Sequence, residues 1–132
     1  MKFEHFAINV PDAPAHVQWF VDHLGFKLVR AVNGPPLMHF VADETGRVIV
    51  ELYTNSTVPM PDHKAYPPLN FHIAMVASDA RATRAKLEQA GATRVSEAVG
   101  PDGSVLIMMR DPWGVSLQLC QRTNPMPFPA GA

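Results

Sequence analysis

Cys120 is the only cysteine in the chain, so no internal disulfide can brace it. A reducing, cytoplasmic setting fits that count. Surplus charge is missing too: 11 basic against 12 acidic residues leave a formal net charge of −1. Such a balance carries no electrostatic signature of a nucleic-acid or anionic-membrane partner. No apolar run approaches the ~18 residues that span a bilayer. The opening MKFEHF goes straight into a strand-like alternation rather than a basic-then-apolar leader. No glycine-rich phosphate loop and no serine–histidine–acid set stands out. What remains is 132 residues, 47% of them apolar, enough for one compact domain with a real core.

The chain repeats itself. FEHFAINVPDA near the start returns as NFHIAMVASDA, with His5, Ala7, Asp12 and Ala13 matched by His72, Ala74, Asp79 and Ala80 at a constant offset of 67. Residues 3–10 alternate and read as a strand. Asp12 offers an N-cap, and Pro14 suits an early helical position. Val17, Phe20, Val21 and Leu24 form an amphipathic stripe that Gly25 can end. KLVRAVN, LMHFVAD and RVIVELY then read as strands, the last two joined by the turn signal DETG. The second half has the same order: a strand over 70–77, a helix between Asp79 and Gly91, then TRVSEAV, SVLIMMR and VSLQLCQ, with DPWG as the final turn. The expected fold is therefore α+β, with two βαβββ modules over residues 1–53 and 70–122. A proline-rich, semi-extended connector spans 54–69, and a tail spans 123–132. One half leaves an apolar sheet face uncovered, so two halves should pair, within one chain or between two.

Four polar residues interrupt these apolar strands at equivalent places. His5 and Glu51 lie 46 residues apart, and so do His72 and Gln118. A lone strand histidine is most often structural, but an ionised carboxylate in an apolar strand needs a partner, a metal or water. A twofold arrangement of the halves would bring all four together. Two imidazoles, one carboxylate and one amide oxygen suit a divalent metal with open positions.

The markers EHFAINV, HLGF, VIVELY, FHIAMVASD, QAGA and RDPWGVSLQL resemble the vicinal oxygen chelate superfamily. That group includes glyoxalase I, fosfomycin resistance proteins, extradiol dioxygenases, methylmalonyl-CoA epimerase and bleomycin resistance proteins. The resemblance covers about residues 1–122. It implies a cup-shaped mixed sheet and one divalent metal (zinc, nickel, iron, manganese or cobalt) bound by His5, Glu51, His72 and Gln118. It also implies a small-molecule substrate and a homodimer. The expected activity is that of a metal-dependent lyase, isomerase or dioxygenase in which the metal chelates vicinal oxygens, with Glu51 moving the proton. Where glyoxalase I and many relatives carry a glutamate, this chain has Gln118. An amide oxygen can ligate but cannot act as a base near neutral pH. The alternative is a metal-free protein that sequesters a small aromatic or drug-like ligand.

By alternation Phe3, Asn9, Tyr53, Asn70 and Cys120 are candidates to line the ligand pocket, although Cys120 also reads as an inert filler. Arg30 and Arg110 could attract an anionic substrate, with surface solvation as the default. His16, His23, His39 and His63 read as solvated or capping residues, and Trp113 as a packing residue in a turn.

Overall fold

The computed structural model describes residues 1–46 and 49–127. The expected tail end at 128–132, and Arg47 and Val48 at the start of RVIVELY, lie outside the described residues. The chain divides into two compact units, Met1–Asp62 and His63–Ala132.

In the first unit β1 (Phe6–Asn9), α1 (Ala13–Leu24), β2 (Lys27–Ala31), β3 (His39–Ala42) and β4 (Ile49–Tyr53) follow in sequence. The sheet order is β1-β4-β3-β2, with β1 parallel to β4 and the other pairs antiparallel. Residues 3–5 are outside β1, so the strand starts later than the alternation suggested, and His5 sits immediately ahead of it. Asp12 caps α1 by accepting from the Ala15 amide at 3.1 Å. Gly25, at φ 72°, ends the helix in the left-handed conformation. The helix buries Ala13, His16, Val17, Trp19 and Phe20. Val41, Val50 and Leu52 are buried in the strands. Each fully buried large aliphatic or aromatic side chain is worth roughly 1.5–3 kcal/mol.

The second unit contains β5 (Ile73–Val76), α2 (Ala80–Gln89), β6 (Thr93–Val99), β7 (Val105–Arg110) and β8 (Ser116–Gln121), in sheet order β5-β8-β7-β6. Its registers repeat those of the first. Phe6↔Val50 and Ala7↔Glu51 become Ile73↔Leu117 and Ala74↔Gln118. The first helical amide is caught in the same way twice. Ala13 donates to Thr54 Oγ1 and Ala80 to Gln121 Oε1, both at 2.9 Å. The α2 helix buries only Ala80 and Leu87, above a core of Ile107, Met109, Leu117 and Leu119. Its outer residues Arg81 and Arg84 converge with Arg94 on Glu97. The fold class is thus α+β, built of two β-α-β-β-β modules.

Two expectations change here. Turns at 56–57, 63–65 and 68–70 punctuate the connector. The Arg110 guanidinium organises it, donating to the carbonyl oxygens of His63 (2.9 Å) and Tyr66 (3.0 Å) as well as to Gly114 O and Ser116 Oγ. A guanidinium with that many neutral acceptors is a structural clasp, not a lure for substrate. The other correction concerns histidines. His16 is fully buried, its ring edge-on to Phe20 at 5.2 Å. His39 is buried in an inner strand, its Nδ1 on the Leu37 carbonyl at 3.0 Å. Neither is solvated, because each lies on the side of its element that faces the core. His23 is exposed and packs on Trp19.

Candidate metal-binding face

Register fixes which side chains share a surface. Across the first sheet, Ala7, Glu51, Phe40 and Arg30 form one row running β1-β4-β3-β2. Ile8, Leu52 and His39, all buried, form the next row on the opposite side, which ends at the exposed Ala31. The Glu51 side is therefore the candidate ligand face of this unit, and Asn9, Ile49 and Tyr53 share it by alternation.

On that face His5 and Glu51 meet. His5 Nε2 lies 3.3 Å from Glu51 Oε2, and His5 Nδ1 lies 3.0 Å from Glu4 Oε1. The ring also packs edge-on against Phe40, with centroids 5.4 Å apart. A neutral imidazole has one N–H. Given to Glu4, it leaves a lone pair on Nε2 aimed at a carboxylate only 9% exposed. Two lone pairs at that distance call for a cation: a proton or a metal ion. The separation exceeds the 2.7–2.9 Å of a charge-assisted hydrogen bond. Glu4 would then be the outer carboxylate that fixes the tautomer of a ligating histidine. These donors fit a divalent metal.

The second unit presents its pair in the matching register. His72 sits immediately ahead of β5, not inside it as the alternation suggested, and Gln118 lies on β8 opposite Ala74 and Met108. His72 Nδ1 donates to the Pro68 carbonyl oxygen at 2.8 Å, which leaves its Nε2 lone pair free to ligate. Gln118 Oε1 accepts from Cys120 Sγ at 3.3 Å. Burial pushes the Cys120 thiol up from its ordinary value, partly offset by Arg122, so it remains a neutral donor and not a nucleophile. Among the described residues, no group of three or more His, Cys, Asp or Glu side chains is gathered as a ready metal cage.

The other candidates separate. Tyr53 is half-buried on the Glu51 face. Asn9 is buried and committed to structure, bonding the Asn55 carbonyl at 3.0 Å and the Asn55 amide at 2.9 Å. Phe3 is exposed ahead of β1. Asn70 closes the turn begun at Pro67, donating to its carbonyl, and so is not a strand residue. Sequence reasoning missed Glu4, although its adjacency to His5 was visible. It missed Phe40, which only the β3–β4 register brings opposite Glu51, and Pro68, whose contribution is a backbone carbonyl that no side-chain pattern marks.

A family model for the Glyoxalase/Bleomycin resistance protein/Dioxygenase superfamily matches residues 2–119. No curated protein matches the sequence. Among solved structures, a glyoxalase family protein from Bacillus cereus superposes with a TM-score of 0.77 at 18% identity, over 91% of this chain and 93% of that one. TnmS3, an antibiotic binding protein from Streptomyces sp. CB03234, gives 0.68 at 21% identity, over 93% and 99%. A glyoxalase I variant from Zea mays gives 0.72 at 22% identity over 93% of this chain and 46% of the maize chain, so this chain spans about half of it. These similarities concern the fold. The chain belongs to the Glyoxalase/Bleomycin resistance protein/Dioxygenase superfamily.

Proposed function

We propose that this protein is a metal-dependent enzyme acting on a small substrate with two neighbouring oxygens, as a lyase or isomerase of the glyoxalase I kind or as a dioxygenase. The observation that carries the reading is the His5 Nε2–Glu51 Oε2 pair at 3.3 Å, backed by Glu4 on the far ring nitrogen. His5, Glu51, His72 and Gln118 are the proposed donors. When bound, a zinc, nickel, iron, manganese or cobalt ion would supply a Lewis acid for the substrate oxygens. Glu51 is the group that holds or moves a proton, since its carboxylate is buried beside the ligand face. His5 orients it, and Gln118 offers an amide oxygen without basicity. A homodimer belongs to the same reading, supported by the exposed edge strand β5, where Val76 is 93% exposed. So does a cytoplasmic setting, supported by the one cysteine, which is outside any disulfide. Among the described residues no helix is long and apolar enough to cross a membrane.

Metal content by mass spectrometry tests this. About one divalent ion per chain, absent from His5→Ala and His72→Ala, is expected. A wild-type protein that takes up none of the five metals after reconstitution would overturn the reading. A second reading, metal-free ligand binding, is favoured by a depression on the same face walled by Val29, Phe40 and Ile49, and by the likeness to an antibiotic binding protein.

A further inference from the structure

The same row that places Glu51 opposite Phe40 places Phe40 opposite Arg30. Adjacent strands lie about 4.8 Å apart, so Arg30 stands roughly 10 Å from Glu51 across the sheet. Between and beside them is a depression of about 170 Å³ lined by Glu4, Val29, Arg30, Phe40 and Ile49. Whole-ligand pockets usually measure about 300–1,000 Å³, so this one suits a single substituent. Three of its five walls are apolar, and one is a guanidinium. The remaining wall, Glu4, is a carboxylate whose Oε1 is turned to His5 Nδ1 at 3.0 Å, and Arg30 is the one cationic group of the lining. Arg30 differs from its neighbours in kind: Arg81, Arg84 and Arg94 are tied to Glu97, and Arg110 to oxygens of its own unit. No carboxylate is paired with Arg30 among the described residues.

We infer that this depression is a subsite for an aryl- or alkyl-carboxylate arm of the ligand, with the apolar part against Phe40, Val29 and Ile49 and the carboxylate on Arg30. A planar guanidinium matches a carboxylate in bidentate fashion. The inference deepens the proposed function and rests on its ligand face, because it adds what the far end of the substrate carries. Arg30 is thus a specificity determinant, not a catalytic residue.

The full-length protein, stripped of metal by a chelator and dialysed, is titrated with benzoate and with its neutral isostere benzamide while backbone amide resonances are followed. Benzoate is expected to shift the Val29, Arg30 and Phe40 amides and to bind about tenfold tighter than benzamide. Arg30→Gln should bring benzoate down to the level of benzamide and leave benzamide unchanged. Arg30→Lys should retain part of the difference. Arg30 is exposed on an edge strand, so these variants fold as the parent does. Equal binding of the two probes, shifts confined elsewhere, no shifts at all, or an Arg30→Gln variant that still prefers benzoate would each overturn the inference. Because the protein is metal-free in this assay, such a failure leaves the metal reading to be decided by metal content alone.

Discussion

The His72 ring turns its Nδ1 onto the Pro68 carbonyl oxygen, 2.8 Å away. A carbonyl can only accept, so the proton belongs to Nδ1 and the lone pair to Nε2. His5 lies between two acceptors, Glu4 at Nδ1 and Glu51 at Nε2, and the shorter contact, 3.0 against 3.3 Å, favours the same polarity. Both histidines are therefore expected in the Nδ1–H form before any metal arrives. Nitrogen-15 spectra of ring-labelled protein above the histidine titration range read this directly. Finding the proton on Nε2 in both rings would remove the case for preformed ligands. Replacing Glu4 with Gln should release His5 from this form and leave His72 unaffected. Metal uptake, where it occurs, should weaken in acid as protons compete for the same nitrogens.

His72 depends on a backbone that Arg110 and Gly114 hold in place. Gly114 has φ 95°, and a Cβ there would meet the Lys64 amide nitrogen at 2.8 Å, with Lys64 Cα at 3.0 Å. Both the dihedral and the close approach reject a side chain. Gly114→Ala is expected to cost about 1–3 kcal/mol in denaturant unfolding. It should also loosen the turns at 63–65 and 68–70, read as faster amide exchange there. An unchanged midpoint would show that Lys64 moves aside without penalty.

How much of this was legible in the sequence follows from what each feature is made of. The repeat was legible because capping, turn chemistry and alternation are local: Asp12 and Asp79 cap as the spacing required. The pairing of His5 with Glu51 was legible because Glu51 is a charge in an apolar strand at a repeated interval. Strand ends were less so, since residues 3–5 and 70–72 alternate like strand but lack ladder partners. The burial of His16 and His39 was illegible, since a histidine can face either way until its neighbours decide. The Arg110 clasp was hidden for the same reason as Pro68: its partners are main-chain oxygens.

Acid stability should involve a site far from this chemistry. Asp102 is held below the ordinary carboxylate range, first by the Ser104 amide and then by the Ser104 hydroxyl. A depressed folded-state value means the unfolded chain binds protons first as pH falls. The contribution is complete above the unfolded value and is lost as pH drops through the folded one. Ser104→Ala removes the hydroxyl but keeps the amide. It should raise the Asp102 titration midpoint only part of the way, as followed by the carboxyl carbon resonance. A midpoint that does not move would assign the whole effect to the backbone.

Gln118 is where this chain departs from a two-carboxylate donor set, and the consequence is electrostatic. In the proposed donor set of His5, His72, Glu51 and Gln118 a divalent ion would keep a net charge of +1, against zero with a second carboxylate. Gln118→Glu places another anion at a half-buried position in the register that Glu51 occupies in the first unit. At an effective dielectric near 20 this should tighten metal binding by roughly tenfold or more. It should also add a second proton carrier. The Cys120 thiol that now donates to the amide oxygen would donate to a carboxylate oxygen instead, so the side chain keeps its anchor. Competition with a fluorescent chelator gives the affinity change. Equal affinity in the two forms would mean that Gln118 is not a ligand, and the donor set would shrink to His5, Glu51 and His72.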